Sequence, residues 1–453
     1  MPGGGTWTVQ NKVRAGAYLN FVSVPKAVGT LGSRGVVAVG LPMSWGPINE
    51  IIRLTGDELL NGASLPKIGV TAMDTEESLP FRVALSGCYT ALLFRTDVGG
   101  VKATAVVSTD VLEASAKYPG TVGNKLTVAI TKDVPDTGSY TVKVLVGGLA
   151  KETFAVTSIK DFKEIESQFI DFDVKNEEAQ VPESSGVSLA GGTNGEVSKD
   201  LYATFWGLLD TENFQSVTMY NIDKDTAALL KAKVDIWRSK RGKKIQAVVR
   251  EYTEADDEGV ISTHQGFKTS TEVIDEALFS VWVASQTAGA EVNESLTAMV
   301  VEGAVEIIKP VLEDEIEAAL NAGKFILSYR QDGAVCVEKD INTLHNFTQD
   351  KNYAFSKNRV IRCLDEVGNS VALTFNRDYA GKVDNNEAGR VEFKAELITL
   401  LDTLQEINAI QNFNGADDIT ILPGESVDSV VVDLTIQPVD SMEKLYMVVN
   451  VNA

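Results

Sequence analysis

The sequence predicts a multidomain α/β protein with an all-β insertion. The chain has 453 residues, which is too long for one compact core and suits about three domains. Short strand-like runs separated by turn residues fill positions 103–157, whereas helical and strand patterns alternate after position 199. Hydrophobic residues make up 44% of the chain and charged residues 23%, a balance typical of ordered globular proteins.

The segment before the insertion is predicted to be α/β. Residues 35–40 form an apolar run typical of a buried strand, and residues 90–95 predict a second strand. Residues 55–60 predict a helix start with an acidic first turn. Residues 74–84 predict another helix, because Glu76 and Glu77 suit the amino-terminal end of the helix dipole.

The insertion begins after Gly99 and Gly100. Its predicted strands are 103–108, 125–131, 139–146 and 153–157, and Gly, Pro, Asp and Asn turns separate them. A polar stretch over 175–186 predicts a linker, and a glycine-rich turn over 189–195 opens the next unit.

The remainder of the chain predicts a mostly parallel sheet covered by helices. Predicted helices 199–209, 223–240, 270–280 and 309–322 alternate with predicted strands 216–221, 244–250 and 298–301. A last unit from about residue 323 combines strands 325–330 and 334–339 with helices 351–365 and 387–411. In the last of these helices, apolar residues fall on one face at helical spacing, which favours a core role.

Both ends of the chain are rich in strand formers. Residues 430–439 and 442–451 alternate apolar and polar side chains, and residues 7–22 form a similar segment after a glycine-rich start. Unpaired strand backbone must find a sheet edge, in its own molecule or in another. We therefore predict two strand arms that assemble with neighbouring subunits through Trp7, Val9, Val13, Tyr18, Val430, Val432, Leu434, Ile436, Leu445, Met447 and Val449.

Charge and cysteine content exclude several classes of partner. The chain carries 63 acidic and 41 basic residues, a net charge of −22, which repels phosphate backbones and anionic lipid. We expect no direct contact with nucleic acid or membrane. Cys88, Cys336 and Cys363 lie far apart without a CxxC pair, so neither a disulfide framework nor a zinc site is predicted. The start lacks the charge and apolar pattern of a secretory signal, so we expect no Sec export.

No motif predicts catalysis, a cofactor or a metal. The histidines, His264 and His345, lie in no metal-binding or catalytic pattern, and no GxSxG elbow occurs. The glycine-rich turn at 191–195 lacks the lysine of a phosphate-binding loop. Acidic clusters at 254–258 and 313–315 do not follow EF-hand spacing. We therefore assign no catalytic, cofactor-binding or metal-ligating residue.

One basic run, at residues 238–244, stands out in this acidic chain. Two interpretations remain open: a solvated helix end, where positive charge suits the helix dipole, or an intersubunit patch that meets carboxylates of neighbouring copies. Nucleic acid is disfavoured because no aromatic residues are interleaved. The run consists of Arg238, Lys240, Arg241, Lys243 and Lys244.

Several segments together resemble the contractile tail sheath proteins of phages and phage-like particles, especially those of Gram-positive hosts. The matching segments are residues 4–7, 12–18, 118–126, 189–195, 357–360, 379–386 with Gly389 and Arg390, and 437–446. They are spread over nearly the whole chain. One departure is Ala15, where relatives carry proline, and this implies a difference in arm rigidity.

The resemblance implies an inner α/β domain built from both chain ends, an inserted β-sandwich, and a middle α/β domain that is subtilisin-like in fold but not catalytic. The domain boundaries predicted on this basis are 1–22 for the amino-terminal arm, 23–98 for the first part of the inner domain, 99–183 for the β-sandwich, 187–325 for the middle domain, 326–425 for the carboxyl-terminal inner part, and 426–453 for the carboxyl-terminal arm.

The resemblance also implies a function. Copies would polymerise into a helical sheath around a tail tube protein, between baseplate and tail terminator proteins, and contract to drive the tube through a cell envelope. The expected location is the tail of a virion or phage-like particle, assembled in the bacterial host cytoplasm. The main alternative is a multidomain enzyme with a ligand site at the carboxyl ends of the middle-domain strands. A secreted surface-layer protein is disfavoured by the missing signal.

Overall fold

The computed structural model describes residues 35–74, 76–133 and 138–451, together with the backbone of Gly3–Gly5 and Gly16–Tyr18. The described residues fall into two compact units. We call residues 35–369 and 438–451 the main unit, and residues 370–437 the C-terminal unit.

The first elements confirm the predicted α/β start. They are β1 (Gly3–Gly5), β2 (Gly16–Tyr18), β3 (Val36–Leu41), β4 (Ile51–Thr55), α1 (Gly56–Asn61), α2 (Leu65–Ile68), α3 (Leu79–Ala84), β5 (Thr90–Arg95) and β6 (Asp97–Val98). Thr55 caps α1, since its hydroxyl accepts from the Glu58 amide while the Glu58 carboxylate accepts from the Thr55 amide. The helix predicted over 74–84 begins only at Leu79, where Pro80 suits the first turn.

The insertion is an antiparallel β-sandwich. Its strands are β7 (Thr104–Ser108), β8 (Leu112–Ala116), β9 (Leu126–Lys132), β10 (Tyr140–Val146), β11 (Leu149–Val156), β12 (Ile170–Val174) and β13 (Ser184–Ser188). One sheet has the order β12-β8-β7 and the other β11-β10-β9-β13. Alternate residues such as Leu126, Val128 and Ile130 fill the core between the sheets. Strand β12 was not predicted, because Asp171 and Asp173 weaken its strand pattern.

The remaining elements of the main unit follow the sandwich. They are β14 (Glu196–Val197), α4 (Asp200–Leu208), β15 (Ser216–Met219), α5 (Lys224–Asp235), β16 (Gln246–Arg250), β17 (Val260–Thr263), β18 (Gly266–Thr269), β19 (Val273–Ile274), α6 (Glu276–Gly289), β20 (Ala304–Ile308), α7 (Ile316–Asn321), β21 (Lys324–Phe325), β22 (Leu327–Tyr329) and β23 (Val335–Val337). The helix predicted at 270–280 starts later because the Asp275 carboxylate caps α6. The segment 298–301, predicted as a strand, forms an isolated bridge between Val300 and Cys336, and the full strand β20 follows it.

A seven-stranded sheet forms the centre of the main unit, in the order β21-β17-β16-β15-β3-β5-β4. All neighbours are parallel except β4 and β5. Val37 and Val39 of β3 join the core cluster that includes α6, whereas Ala38 joins the cluster that includes α4 and α5. Both faces are therefore covered, which accounts for the continuous apolar run in β3.

This sheet differs from the predicted domain boundaries. We placed residues 23–98 in an inner domain and residues 187–325 in a separate middle domain, but β3 pairs with β15 in one sheet. An apolar strand run shows burial without showing which strand lies beside it, so the boundary could not be located from that pattern. The subtilisin-like comparison and the role of the amino-terminal residues in an inner domain remain predictions.

The chain passes into the C-terminal unit within α8 (Asn358–Thr374). The later elements are α9 (Glu387–Glu406), β24 (Ile410–Gln411), β25 (Ile419–Pro423), β26 (Val430–Leu434) and β27 (Gln437–Pro438). The predicted apolar face of α9 is buried, including Leu397, Leu400 and Leu404. This helix ends before residue 411 because the chain turns at Asn408, whose φ angle is 58°.

Candidate assembly interface

Residues 444–451 form an exposed apolar segment, which we call the free arm. Leu445 is 84% exposed and Val449 is 68% exposed. Among the residues that the structure describes, no hydrogen bond or ion pair joins the free arm to the rest of the chain. Such a run of strand formers leaves both apolar surface and backbone polar groups without partners, a combination typical of protein interaction sites.

The base of the free arm is fixed to the main unit by a buried lysine. The side chain of Lys357 is only 2% exposed, and its Nζ forms ion pairs with Glu443 and, at 3.6 Å, with Asp440. The Thr297 hydroxyl donates to Glu443 Oε1 at 2.9 Å. Burial alone would raise the pKa of the Glu443 carboxyl, but the hydrogen bond and charge of Lys357 outweigh burial and lower that pKa. We call Lys357, Asp440, Glu443 and Thr297 the arm clasp.

The C-terminal unit offers a two-stranded hairpin, β25 and β26, with register pairs from Ile419 opposite Leu434 to Pro423 opposite Val430. Within the described part of the chain, this sheet has no third strand, so each strand has an unpaired edge. Leu422 and Val431 lie opposite each other and are 55% and 53% exposed. The hairpin therefore presents both free edges and uncovered apolar side chains.

Asn385 holds the turn of this hairpin. Its Nδ2 donates to the carbonyl oxygens of Val427 at 2.9 Å and Ser429 at 2.8 Å. Arg390 Nη1 in turn donates to Asn385 Oδ1 at 2.9 Å. Asn385 and Arg390 belong to one of the segments that resemble sheath proteins, and this segment fixes the hairpin turn to the start of α9.

The residues predicted to form the strand arms lie in different parts of the structure. Val430, Val432 and Leu434 belong to the hairpin within their own chain, which corrects their assignment to a free arm, because the turn at 424–429 folds them back onto β25. Ile436 lies between β26 and β27. Leu445, Met447 and Val449 are exposed in the free arm. Trp7, Val9 and Val13 lie outside the described residues, and only the backbone of Tyr18 is described, in β2.

Most side chains of the basic run form contacts within their own chain, and the intersubunit interpretation stays a prediction. Arg238 pairs with Asp365 through two hydrogen bonds of 2.6 and 2.8 Å, and Arg241 pairs with Asp210 at 2.7 Å. Lys243 Nζ donates to the Leu209 carbonyl, and burial lowers the pKa of Lys243 to about 8. Lys244 Nζ donates to the Arg238 carbonyl, whereas Lys240 is exposed. These cations therefore stabilise the protomer.

We expect Arg238→Ala to lower the free energy of unfolding by about 2 kcal/mol, since charge-assisted hydrogen bonds contribute about 1.5–3 kcal/mol. Lys240→Ala is the matched control and should change stability by less than about 0.5 kcal/mol. Urea denaturation followed by tryptophan fluorescence measures both. Equal stability of the two variants would contradict the structural role of Arg238.

A buried ion pair lies where the sandwich joins the central sheet. Arg95 Nη2 contacts Asp97 Oδ2 at 2.7 Å, and Arg95 Nη1 donates to the carbonyl oxygens of Gly46 and Pro119 at 3.2 and 2.8 Å. Asp97 Oδ1 accepts from the Met43 amide at 2.8 Å. We call this arrangement the sandwich joint. Because it links β5, the loop after β3 and the loop after β8, it fixes the orientation of the sandwich on the sheet.

Two further segments that resemble sheath proteins, 118–126 and 189–195, meet beside this joint. Asn124 exchanges hydrogen bonds with the backbone of Gly192 at 2.8 and 2.9 Å, and Asn194 Oδ1 accepts from the Thr121 amide at 2.9 Å. Gly120 has a φ angle of 135°, and a Cβ there would lie 2.0 Å from the Ser44 carbonyl oxygen. Only glycine fits at this position. The glycine-rich turn at 191–195 is therefore part of the domain connection.

The histidines have structural partners. His264 Nε2 lies 3.0 Å from Ser262 Oγ, and burial lowers the pKa of His264 to about 4. Ser262 is fully buried and its Oγ already accepts from the Tyr252 amide. His345 lies 3.3 Å from Asp256. The described residues contain no cluster of His, Cys, Asp and Glu side chains suited to a metal, and none of the described helices is long and apolar enough to cross a bilayer.

A cavity of about 1010 Å³ lies between β4, α2 and the sandwich, lined by residues such as Ile52, Lys67, Tyr118 and Phe169. The enzyme alternative places its ligand at the carboxyl ends of parallel strands. This cavity instead follows the antiparallel edge strand of the sheet, so its position does not favour that alternative.

Comparison with known protein families identifies the class. The β-sandwich domain of phage tail sheath proteins matches residues 98–194, their central domain matches residues 195–343, and their C-terminal domain matches residues 350–452. The chain therefore belongs to the phage tail sheath protein family. It is a structural protein and not an enzyme.

Individual relatives agree with this family. The chain is 32% identical to the phage-like element PBSX protein XkdK of Bacillus subtilis, over 99% of this chain and 100% of that protein. The chain is 34% identical to the sheath tail protein of Desulfitobacterium hafniense. The crystal structure of that protein matches with a TM-score of 0.80, over 95% of this chain and 99% of that one. The sheath tail protein of Listeria innocua is 29% identical, with a TM-score of 0.80 over 93% and 96% of the two chains.

Proposed function

We propose that copies of this chain polymerise head to tail into a helical sheath around a tail tube, and that the sheath contracts to drive the tube through a cell envelope. The observation that carries the proposal is the exposed free arm, whose base is held by the arm clasp. A contact between unlike surfaces whose rotation does not close gives an open helical polymer, which suits a sheath.

The free arm is the donor in this proposal, and the β25–β26 hairpin of a neighbouring copy is the acceptor. Main-chain hydrogen bonds along a free hairpin edge supply affinity, and alternate side chains fix the register. Leu445, Met447 and Val449 share one face of an extended arm. Burying an exposed side chain of this size contributes about 1.5–3 kcal/mol before the cost of ordering the arm.

Strand donation would keep neighbours attached while the rest of the surface changes. In contraction, the folded units exchange one set of surface contacts for another and form a shorter, wider lattice. The energy for this change is stored during assembly, so the mechanism needs no nucleotide. The tube protein, baseplate and tail terminator are the further partners that this role requires, and the particle is assembled in the bacterial cytoplasm.

Negative-stain electron microscopy of the concentrated full chain tests this proposal. We expect tubes or stacked rings, and two classes of tube that differ in length and diameter. A monodisperse monomer at all concentrations would contradict the proposal.

A further inference from the structure

The order of elements along the chain creates a mechanical problem for strand donation. Residues 435–443 separate β26 from the free arm, and they include the two-residue strand β27, which pairs with β24. A neighbour that pulls on the arm would pull first β27 away from β24 and then β26 away from β25, one hydrogen bond at a time. Each such bond contributes only about 0.5–1.5 kcal/mol, so an unprotected hairpin would open easily.

The arm clasp lies between β27 and the free arm, where it can bear a pull on the arm before that pull reaches the hairpin. From the structure we infer that Lys357 and Glu443 are positioning residues for strand donation: they fix the origin of the arm at residue 443 and transfer the load on the arm into the main unit. This inference rests on the donation proposed above. It assigns a role to two of the segments that resemble sheath proteins, 357–360 and 437–446, which meet at this ion pair.

The clasp is suited to bear load because Lys357 is buried. A buried ammonium group without a carboxylate is costly, so release of Glu443 is opposed by the desolvation of Lys357. Asp440 at 3.6 Å adds a second carboxylate from the same segment. Pulling the arm off the main unit therefore requires separation of charges in a site from which water is largely excluded.

Behind the ion pair, hydrogen bonds continue into the main unit. The Thr297 hydroxyl that donates to Glu443 accepts from the Asp340 amide at 2.9 Å. Asp340 is buried, and its Oδ1 accepts from Asn358 Nδ2 at 2.8 Å. A pull on Glu443 is thus shared with the loop at residue 297, the segment after β23, and the first residue of α8.

The clasp also limits the reach of the arm. An extended chain rises about 3.3 Å per residue, so Val451 lies at most about 27 Å from Glu443. A receiving strand on the neighbouring copy must lie within that radius of the donor's own clasp. Without the clasp, the arm would extend from the end of β27 at Pro438, and this limit would rise to about 43 Å.

Trypsin cleavage after Lys444 measures the clasp directly in the monomer. Trypsin needs an extended segment on both sides of the cleaved bond, and the clasp holds residues 440–443. We expect Lys357→Met to accelerate loss of the segment from Leu445 onward at least tenfold, as detected by mass spectrometry. This variant leaves the cleaved sequence unchanged. Lys268→Met, which removes an exposed ion pair with Glu306 elsewhere in the main unit, is the matched control and should leave the rate within twofold of the unmodified chain.

A second pair of variants tests the coupling of the two residues. Glu443→Gln should also accelerate cleavage, and Lys357→Met should add less than twofold to it, because both changes break the same ion pair. Equal cleavage rates in the unmodified chain and Lys357→Met would overturn the inference. Because the assay uses monomers, absence of tubes would contradict the proposed function and leave the clasp result intact.

Tubes test the load-bearing role. Lys357→Met tubes are expected to break under sonication to less than half the mean length of Lys268→Met tubes. Equal lengths would overturn the transfer of load through the clasp.

Discussion

A chain that stops after Lys444 is expected to fold normally and to form no tubes. The truncation removes Leu445, Met447 and Val449, which are exposed in the protomer, so folding loses no packing. It retains Glu443, and therefore keeps Lys357 paired. Circular dichroism and urea denaturation should match the full chain, whereas electron microscopy should show only monomers.

The position of the cut matters because a cut nearer the start of the chain would disturb folding as well as assembly, and the two effects could not be separated. Truncation after Pro423, at the end of β25, is such an earlier cut. The structure shows that this cut would remove β26, which pairs with β25, and would leave Lys357 buried without Glu443. A buried unpaired charge is strongly destabilising, so failure of that shorter chain to form tubes would not identify the arm as the cause.

Point substitutions provide the matched control for the truncation. Met447→Asp places a charge on the apolar face that the donated strand would bury, and we expect it to abolish tubes. Asn450→Asp adds the same charge on the opposite face, where the residue is already polar, and tubes should persist. Tubes formed by the truncated chain, or equally by both point variants, would count against strand donation.

Local structure was predictable where periodicity and capping residues agree. The apolar runs of β3 and β5 and the apolar face of α9 lie in the sequence itself, and the structure confirms them. Element ends were less predictable, because single residues decide them. The Asp275 cap sets the start of α6, and the positive φ angle of Asn408 sets the end of α9.

Long-range pairing was not predictable from one sequence. Arg238 and Asp365 lie 127 residues apart, and nothing in the basic run indicates that a carboxylate from α8 reaches it. Lys357 and Glu443 lie 86 residues apart. Both residues lie in segments that resemble sheath proteins, and this was the one signal in the sequence that pointed to them. It does not indicate that the two side chains are in contact. A run of charged residues is therefore a poor predictor of solvent exposure when the carboxylates that pair with it are distant in sequence.

We expect Asp97→Ala to lower the free energy of unfolding by about 3–5 kcal/mol, the usual cost of removing one partner of a buried ion pair. Asp97 is 1% exposed and Arg95 is fully buried, so water cannot replace the lost carboxylate. Arg95 would keep its bonds to the Gly46 and Pro119 carbonyl oxygens but would remain charged. The main unit should therefore unfold at a lower urea concentration.

The position of the sandwich joint sets a second expectation for the same variant. The rings of Trp45 and Tyr118 meet edge to face beside the joint, with centroids 5.3 Å apart. The fluorescence of Trp45 should therefore respond to loosening of the sandwich before the rest of the main unit unfolds. Glu178→Ala, which removes the exposed pair with Lys160 on the sandwich, is the matched control and should change stability by less than about 1 kcal/mol. If Asp97→Ala matched this control, the ion pair would not hold the sandwich on the central sheet.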